Sequence, residues 1–213
     1  MKSLENYKVL LWDFDGVIMD SMPVREHGFR KVLEKYPEDE VELLIHFHRK
    51  NGGWSRYIKF RYFFEEIRKE SITDEHIVAL SQKFSLIMRE LLLSKELLIK
   101  DSLAYIEANY QDQMMHVVSG SDGEELRFLC QQLGLSKYFI SIHGSPTPKG
   151  ELIKNLLASE QYSKMDVLMI GDAYNDRDAA FANEIAFAGY NNENLRSNDY
   201  LYVDSFFNLI HSS

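Results

Sequence analysis

The chain has 213 residues, 45% of them hydrophobic and 27% charged, and a net charge of −9. It is long enough to bury a sizeable core, as one large domain or as a core carrying an insertion. The acidic balance and the lack of any Lys/Arg-rich run exclude nucleic acid as the expected partner, because phosphate backbones are held by clustered cations. A small phosphorylated ligand stays open, since one metal ion and one lysine reverse the field locally.

The N-terminal stretch MKSLENYKVL lacks an apolar run long enough for a signal peptide, and nothing later reads as a membrane span. A single cysteine, Cys130, can form no internal disulfide. A cytoplasmic protein without membrane contact is the expectation. The first predicted strand, 8–12, runs into LLWDFDGVIMDS, which places Asp13 and Asp15 directly after apolar residues. Carboxylates there need a cation or hydrogen bonds to offset desolvation. Residues two apart on an extended chain point the same way, so the pair can share one site.

Residues 22–95 read differently. PVREHGFRKVLEKY, DEVELLIHFHRK, WSRYIKFRYFFEEIRK and TDEHIVALSQKFSLIMRELLL all carry apolar residues at helical spacing. The pattern predicts an inserted bundle of about four helices. Gly52 and Gly53 join two of them, ahead of Trp54, Ser55, Arg56 and Lys59. His46 and His48 have no metal-ligand spacing and read as helix surface or core.

Beyond this segment, short apolar runs at 115–118, 138–142 and 166–170 alternate with helices, and 185–188 and 200–203 extend the series. Such alternation predicts an α/β fold with a doubly wound parallel sheet. A helix over 122–133 is bounded by SDGE (Ser121 to Glu124), read as a capping box, and by Gly134. Cys130 lies within it and reads as a core thiol.

Open parallel sheets bind ligands beyond the carboxyl ends of their strands. That rule gathers Asp13 and Asp15, Ser119 at the end of MHVVSGS, Lys149 of SPTPKG at a helix start, and Asp172 with Asp176 of GDAYND. Clustered carboxylates repel one another, and an oxygen-seeking divalent ion such as Mg2+ relieves the repulsion. A metal-bound carboxylate stays ionised and can act as a nucleophile. A lysine and a hydroxyl hold phosphoryl oxygens, and a second aspartate off the metal can donate a proton to the leaving oxygen.

In order and approximate spacing, DFDGVIMDS, Ser119, Lys149 and GDAYND resemble the four motifs of the haloacid dehalogenase-like superfamily. The helical insertion after the first motif resembles the C1 cap of its phosphatase and β-phosphoglucomutase-like members. The resemblance covers almost the whole chain. It implies a Rossmann-like core formed by 1–21 and 96–213 and an all-helical cap at 22–95. By the same resemblance, Asp13 is the nucleophile and a Mg2+ ligand, and Asp15 is the general acid/base and lends its backbone carbonyl to the metal. Ser119, Gly120 and Lys149 bind the phosphoryl group, Asp172 is the remaining carboxylate ligand, and Asp176 ligates through water or orients Lys149. Members of this kind usually place lysine just before proline, whereas here Pro148 precedes Lys149; Lys154, about a turn on, is the alternative.

Asp15 separates the chemistries within the superfamily. Members that break carbon–halogen or carbon–phosphorus bonds lack that second aspartate, because an oxygen leaving group needs a proton and a halide does not. The expected activity is Mg2+-dependent hydrolysis of a small phosphorylated metabolite, a sugar phosphate among the candidates, through an aspartyl-phosphate intermediate. The alternatives are a phosphomutase of the β-phosphoglucomutase type and, in a different class, a phospho-accepting switch without turnover. In C1-capped relatives the glycine-containing cap loop reads the leaving group, which implies that role for Gly53 and Arg56. The competing reading makes this an ordinary helix–helix turn, with Trp54, Ile58, Phe60 and Phe64 as core and Arg56 as surface charge.

Overall fold

In the computed structural model, which describes residues 3–210, six parallel strands form a single sheet. They are β1 (Val9–Trp12), β2 (Met114–Asp122), β3 (Ser141–Ser145), β4 (Val167–Gly171), β5 (Ala186–Tyr190) and β6 (Leu201–Val203), in the order β3-β2-β1-β4-β5-β6. All four residues of β1 and all five of β4 are buried, because helices cover both faces of the sheet. Strand β1 pairs with β2 on one side and β4 on the other, and the winding reverses beside it. The carboxyl ends of β1, β2 and β4 therefore meet at a topological switch point.

The strand expected at 138–142 starts later, at Ser141. Ser136–Tyr138 closes as a helical turn, and Phe139 is buried against the sheet's helices before pairing begins. The helix after β2 is α6, Gly123–Gln132, capped by Asp122 rather than Ser121. The Asp122 carboxylate accepts from the backbone N–H of Glu124 and Glu125, each at 3.1 Å. Ser121 is drawn away because its hydroxyl donates to Asp15. Cys130 is buried in this helix, and burial pushes its thiol up to about 12.

Between β1 and β2 run α1 (Met22–Val32), α2 (Glu38–Lys50), α3 (Arg56–Tyr62) and α4 (Asp74–Leu91), followed by α5 (Lys100–Asn109). Helix α3 widens into a π-helical stretch over Phe63–Arg68, ended by Lys69 at φ 59°. Phe29 of α1, Phe60 of α3 and Phe84 of α4 pack on one another, with ring centroids 4.5 to 6.2 Å apart. Two further helices, α7 (Lys149–Glu160) and α8 (Tyr174–Ala182), follow β3 and β4, and a short α9 (Phe207–Ile210) ends the described chain. No helix among the described residues is long and apolar enough to cross a membrane.

Candidate active site

The backbone N–H of Asp13 donates to Ile170 O at 2.9 Å, fixing the end of β1 against β4. The carboxylates of Asp13, Asp172 and Asp176 each bring an oxygen within 4.8 Å of the others. Gly16, at φ +77°, makes this possible. A Cβ there would stand 2.1 Å from Asp172 Oδ2, so only glycine allows both the turn and the approach. Burial first, and then the neighbouring Asp176, push Asp13 up to about 7 despite Lys149. Asp172 is raised well above the carboxylate range by burial and then by Asp13.

Lys149 opens α7, with its side chain buried between two of these carboxylates. Its Nζ is 3.0 Å from Asp13 Oδ1 and donates to Asp176 Oδ1. Burial works against its charge, but Asp13 and Asp176 outweigh it and hold the ammonium protonated. The other Asp176 oxygen accepts from Ala173 N at 3.0 Å, so both of its oxygens are engaged. Lys154 is exposed, 4.0 Å from Glu151, and falls out as an alternative. Ser119 is buried at the end of β2, and its Oγ accepts from Ser121 N at 3.2 Å.

Asp15 takes a different set of partners. Its carboxylate accepts from Arg25 Nε at 2.6 Å and from the hydroxyls of Ser21 and Ser121. Burial opposes ionisation, yet Arg25 and these hydroxyls hold the carboxyl below its usual range. Arg25 was not anticipated as a site residue, nor was Glu125. Glu125 is fully buried on α6 and accepts from Arg25 Nη1 at 3.1 Å and from Arg56 Nη1 at 2.6 Å. Both lie at helix positions where a charge ordinarily faces solvent, so spacing alone does not reveal them. Ser21 and Arg25, four apart at the start of one helix, were the available hint.

Arg56 is buried, which overturns its reading as a surface charge. Besides Glu125 it donates to Ser85 Oγ at 2.7 Å, and its guanidinium stacks 4.6 Å from the Phe84 ring. Phe60 and Phe64 are core, whereas Trp54 and Ile58 are exposed over a little under half of their surface. His48 is core and His46 exposed. Lys59 Nζ is buried 2.9 Å from His48 Nδ1 and donates to Gly52 O at 2.9 Å. Burial, and then Arg25, lower Lys59 to about 7; burial, and then Lys59, lower His48 to about 2.

The loop holding Gly52 and Gly53 presses onto the ends of the strands. A Cβ on Gly120 would meet Gly53 O at 2.0 Å, and one on Gly53 would meet Asn175 Oδ1 at 2.1 Å. The narrow chamber beside the loop has about 20 Å3, lined among others by Asp13, Asp15, Arg25, Arg56, Lys59 and Ser119. That is room for about one water. A hollow of about 430 Å3 lies outside the same loop, against Trp54, Gly120 and Lys149.

The haloacid dehalogenase-like hydrolase profile matches residues 7–183. The chain belongs to the haloacid dehalogenase-like hydrolases. It is an enzyme, and a bare phospho-accepting switch is set aside. Among solved structures, CbbY from Rhodobacter sphaeroides in complex with phosphate is similar at TM-score 0.75 and 14% identity, over 95% of this chain and 96% of that one. The β-phosphoglucomutase from Clostridium difficile is similar at TM-score 0.74 and 19% identity, over 95% and 93%. A protein described as a predicted phosphoglycolate phosphatase from Haemophilus somnus 129PT is similar at TM-score 0.72 and 17% identity, over 96% and 97%. At these identities the likeness is one of fold. No curated protein matches the sequence significantly.

Proposed function

We propose that this hydrolase is a Mg2+-dependent phosphatase for a small phosphorylated metabolite. The observation that carries the reading is the cluster of Asp13, Asp172 and Asp176 with Lys149 at the switch point of the sheet. Three close carboxylate oxygens, two of them on residues pushed toward the protonated form, are an oxygen donor set that suits a hard divalent cation. Asp13 and Asp172, with the Asp15 carbonyl, would hold Mg2+; Asp176, with both oxygens engaged, serves mainly to orient Lys149. The ion would keep Asp13 ionised and offset charge on the phosphoryl oxygens.

In the first half-reaction an Asp13 oxygen bonds to phosphorus as the ester P–O bond breaks, and Asp15 gives its proton to the leaving alkoxide. In the second, Asp15 takes a proton from water as the water oxygen attacks the aspartyl phosphate and releases inorganic phosphate. Lys149, Ser119 and the Gly120 backbone bind the phosphoryl oxygens throughout. The ionised, Arg25-paired form of Asp15 suits the second half. The first requires Asp15 to leave that pairing and arrive protonated.

Residues 22–95 act as a cap on the core of 1–21 and 96–213. The chamber is too small for an ester, so substrate entry requires the loop at Gly52–Gly53 to lift. Arg25 and Arg56 each keep one buried Nη2 without a partner on the chamber wall. These donors support a substrate whose leaving group carries acceptor oxygens, with Gly53 and Arg56 helping to select it. The test is phosphate release from a panel of phosphorylated metabolites, with Mg2+ and with EDTA. Turnover undiminished by chelator defeats the reading.

A further inference from the structure

A third and larger groove lies outside the chamber, between α4 and α6. It has a volume of about 690 Å3, and Ser81, Ser85, Arg89, Asp122, Arg127 and Ser145 are among its walls. Among the described residues, every arginine except two forms an ion pair, and those two, Arg89 and Arg127, both face this groove. Arg89 is held over the Phe128 ring at 5.2 Å, and its Nε is buried without a hydrogen-bond partner. Arg127 makes only a long contact, 3.4 Å, to Ile142 O.

Two hydroxyls tell the same story. Ser81 and Ser145 are 2% and 4% exposed, and the Oγ of each is buried with no partner. A buried polar atom left unpaired is costly, so three such atoms on residues lining one groove call for a ligand that satisfies them. The acidic neighbours do not compete strongly. The Asp122 carboxylate is occupied by capping α6 and by Tyr57 OH at 2.9 Å, and Glu124 is exposed. At the rim, Val78 and Leu86 are exposed apolar side chains.

We infer that this groove binds a small organic oxyanion, with its phosphate or carboxylate head between Arg89 and Arg127 and its body against Val78 and Leu86. Two guanidiniums on facing helices supply charge-assisted donors to one head group, and the two serines add hydroxyls. The site is separate from the chamber and does not depend on the reading of Asp13. It shares one wall with it, because Ser85 faces the groove and accepts from Arg56.

Phenylphosphonate and benzoate, which share a body and differ in the head, are titrated in EDTA into the full chain while backbone amide shifts are followed. The expected result is saturable shifts at Ser81, Arg89, Gly123, Arg127 and Ser145, with the tighter probe naming the head group. Arg89→Gln combined with Arg127→Gln should weaken binding at least ~10-fold, while p-nitrophenyl phosphate turnover in Mg2+ stays that of the parent. Should the double variant fail to fold, Gln82→Glu at the exposed wall should also weaken binding. Shifts confined to Asp13, Ser119 and Lys149, the absence of saturable shifts, or variants that bind both probes as the parent does would overturn the site. Lack of turnover in the parent would count against the phosphatase reading alone.

Discussion

Arg25 Nε donates to Asp15 Oδ1 at 2.6 Å, so a residue of α1 grips the second aspartate of the DFDG motif. The same guanidinium reaches Glu125 on α6. Segment 22–95, the β1 terminus and the helix after β2 therefore share one chain of charges. Any movement of α1 away from the strand ends would therefore also break the Asp15–Arg25 contact.

If Asp15 protonates the leaving oxygen, Asp15→Asn should slow alkyl phosphates by roughly 10²–10⁴-fold and activated aryl phosphates far less. Steady-state kinetics on both substrate types checks this. Equal losses would assign Asp15 to positioning instead.

Asp13→Asn should reduce turnover by at least ~10³-fold without unfolding the chain. It should also change how the chelated protein responds to pH. The folded pKa of Asp13 is raised to about 7 from 3.8, so the folded state binds more protons between those values. The resulting stability is complete below about 4 and lost as pH rises through about 7. In EDTA, the melting temperature of the parent minus that of Asp13→Asn should fall across this window. Saturating Mg2+ should suppress the fall.

The Arg56–Glu125 pair is buried on both sides, and removing Arg56 leaves buried Glu125 with Arg25 as its one remaining cation. Arg56→Ala should cost about 3–5 kcal/mol, which for a chain of this size lowers Tm by about 6–20 °C. Glu125→Gln with Arg56→Met should recover most of that loss. A thermal melt of each variant decides it. The loss of stability also means that kinetic effects of Arg56→Ala on substrate choice have to be read below its melting transition.

Lys59 offers a pH test of the opposite sign. Its folded pKa is lowered to about 7 from 10.5, so the unfolded chain binds the extra proton between these values. Stability therefore rises with pH across that range. Lys59→Met should remove this rise and stabilise the protein at pH 7 by about 1–3 kcal/mol. Urea unfolding at pH 7 and pH 10 measures both effects. An unchanged slope would place the Lys59 ammonium in contact with water.

The motif residues were legible because each follows a short apolar run, and the rule for parallel sheets carries such strand ends to one place. Asp13, Ser119 and Asp172 follow this logic, whereas Lys149 follows SPTP and was placed by its position at a helix start. Arg25 and Glu125 were not legible, because burial of their ion pair depends on side chains a hundred residues apart in sequence reaching one another. The cap of α6 slipped by one residue for a related reason. A local signal, Ser121 with Glu124, lost to the distant Asp15. The start of β3 was displaced because an apolar run of tyrosine, phenylalanine and isoleucine fits a turn that buries Phe139 as well as it fits a strand.

The central place of β1 has a kinetic consequence. Val9 pairs with Met114 and Val167, so β1 is made before either neighbour and waits for both. Helices α1–α4 contact one another over shorter sequence separations than β1 has from β2 and β4 and can condense earlier, whereas pairing β1 closes longer loops. Until residue 170 has emerged, the apolar run VLLW stays without its full pairing. Nascent chains stalled between the second and fourth strands are thus the species most exposed to aggregation and to chaperone capture.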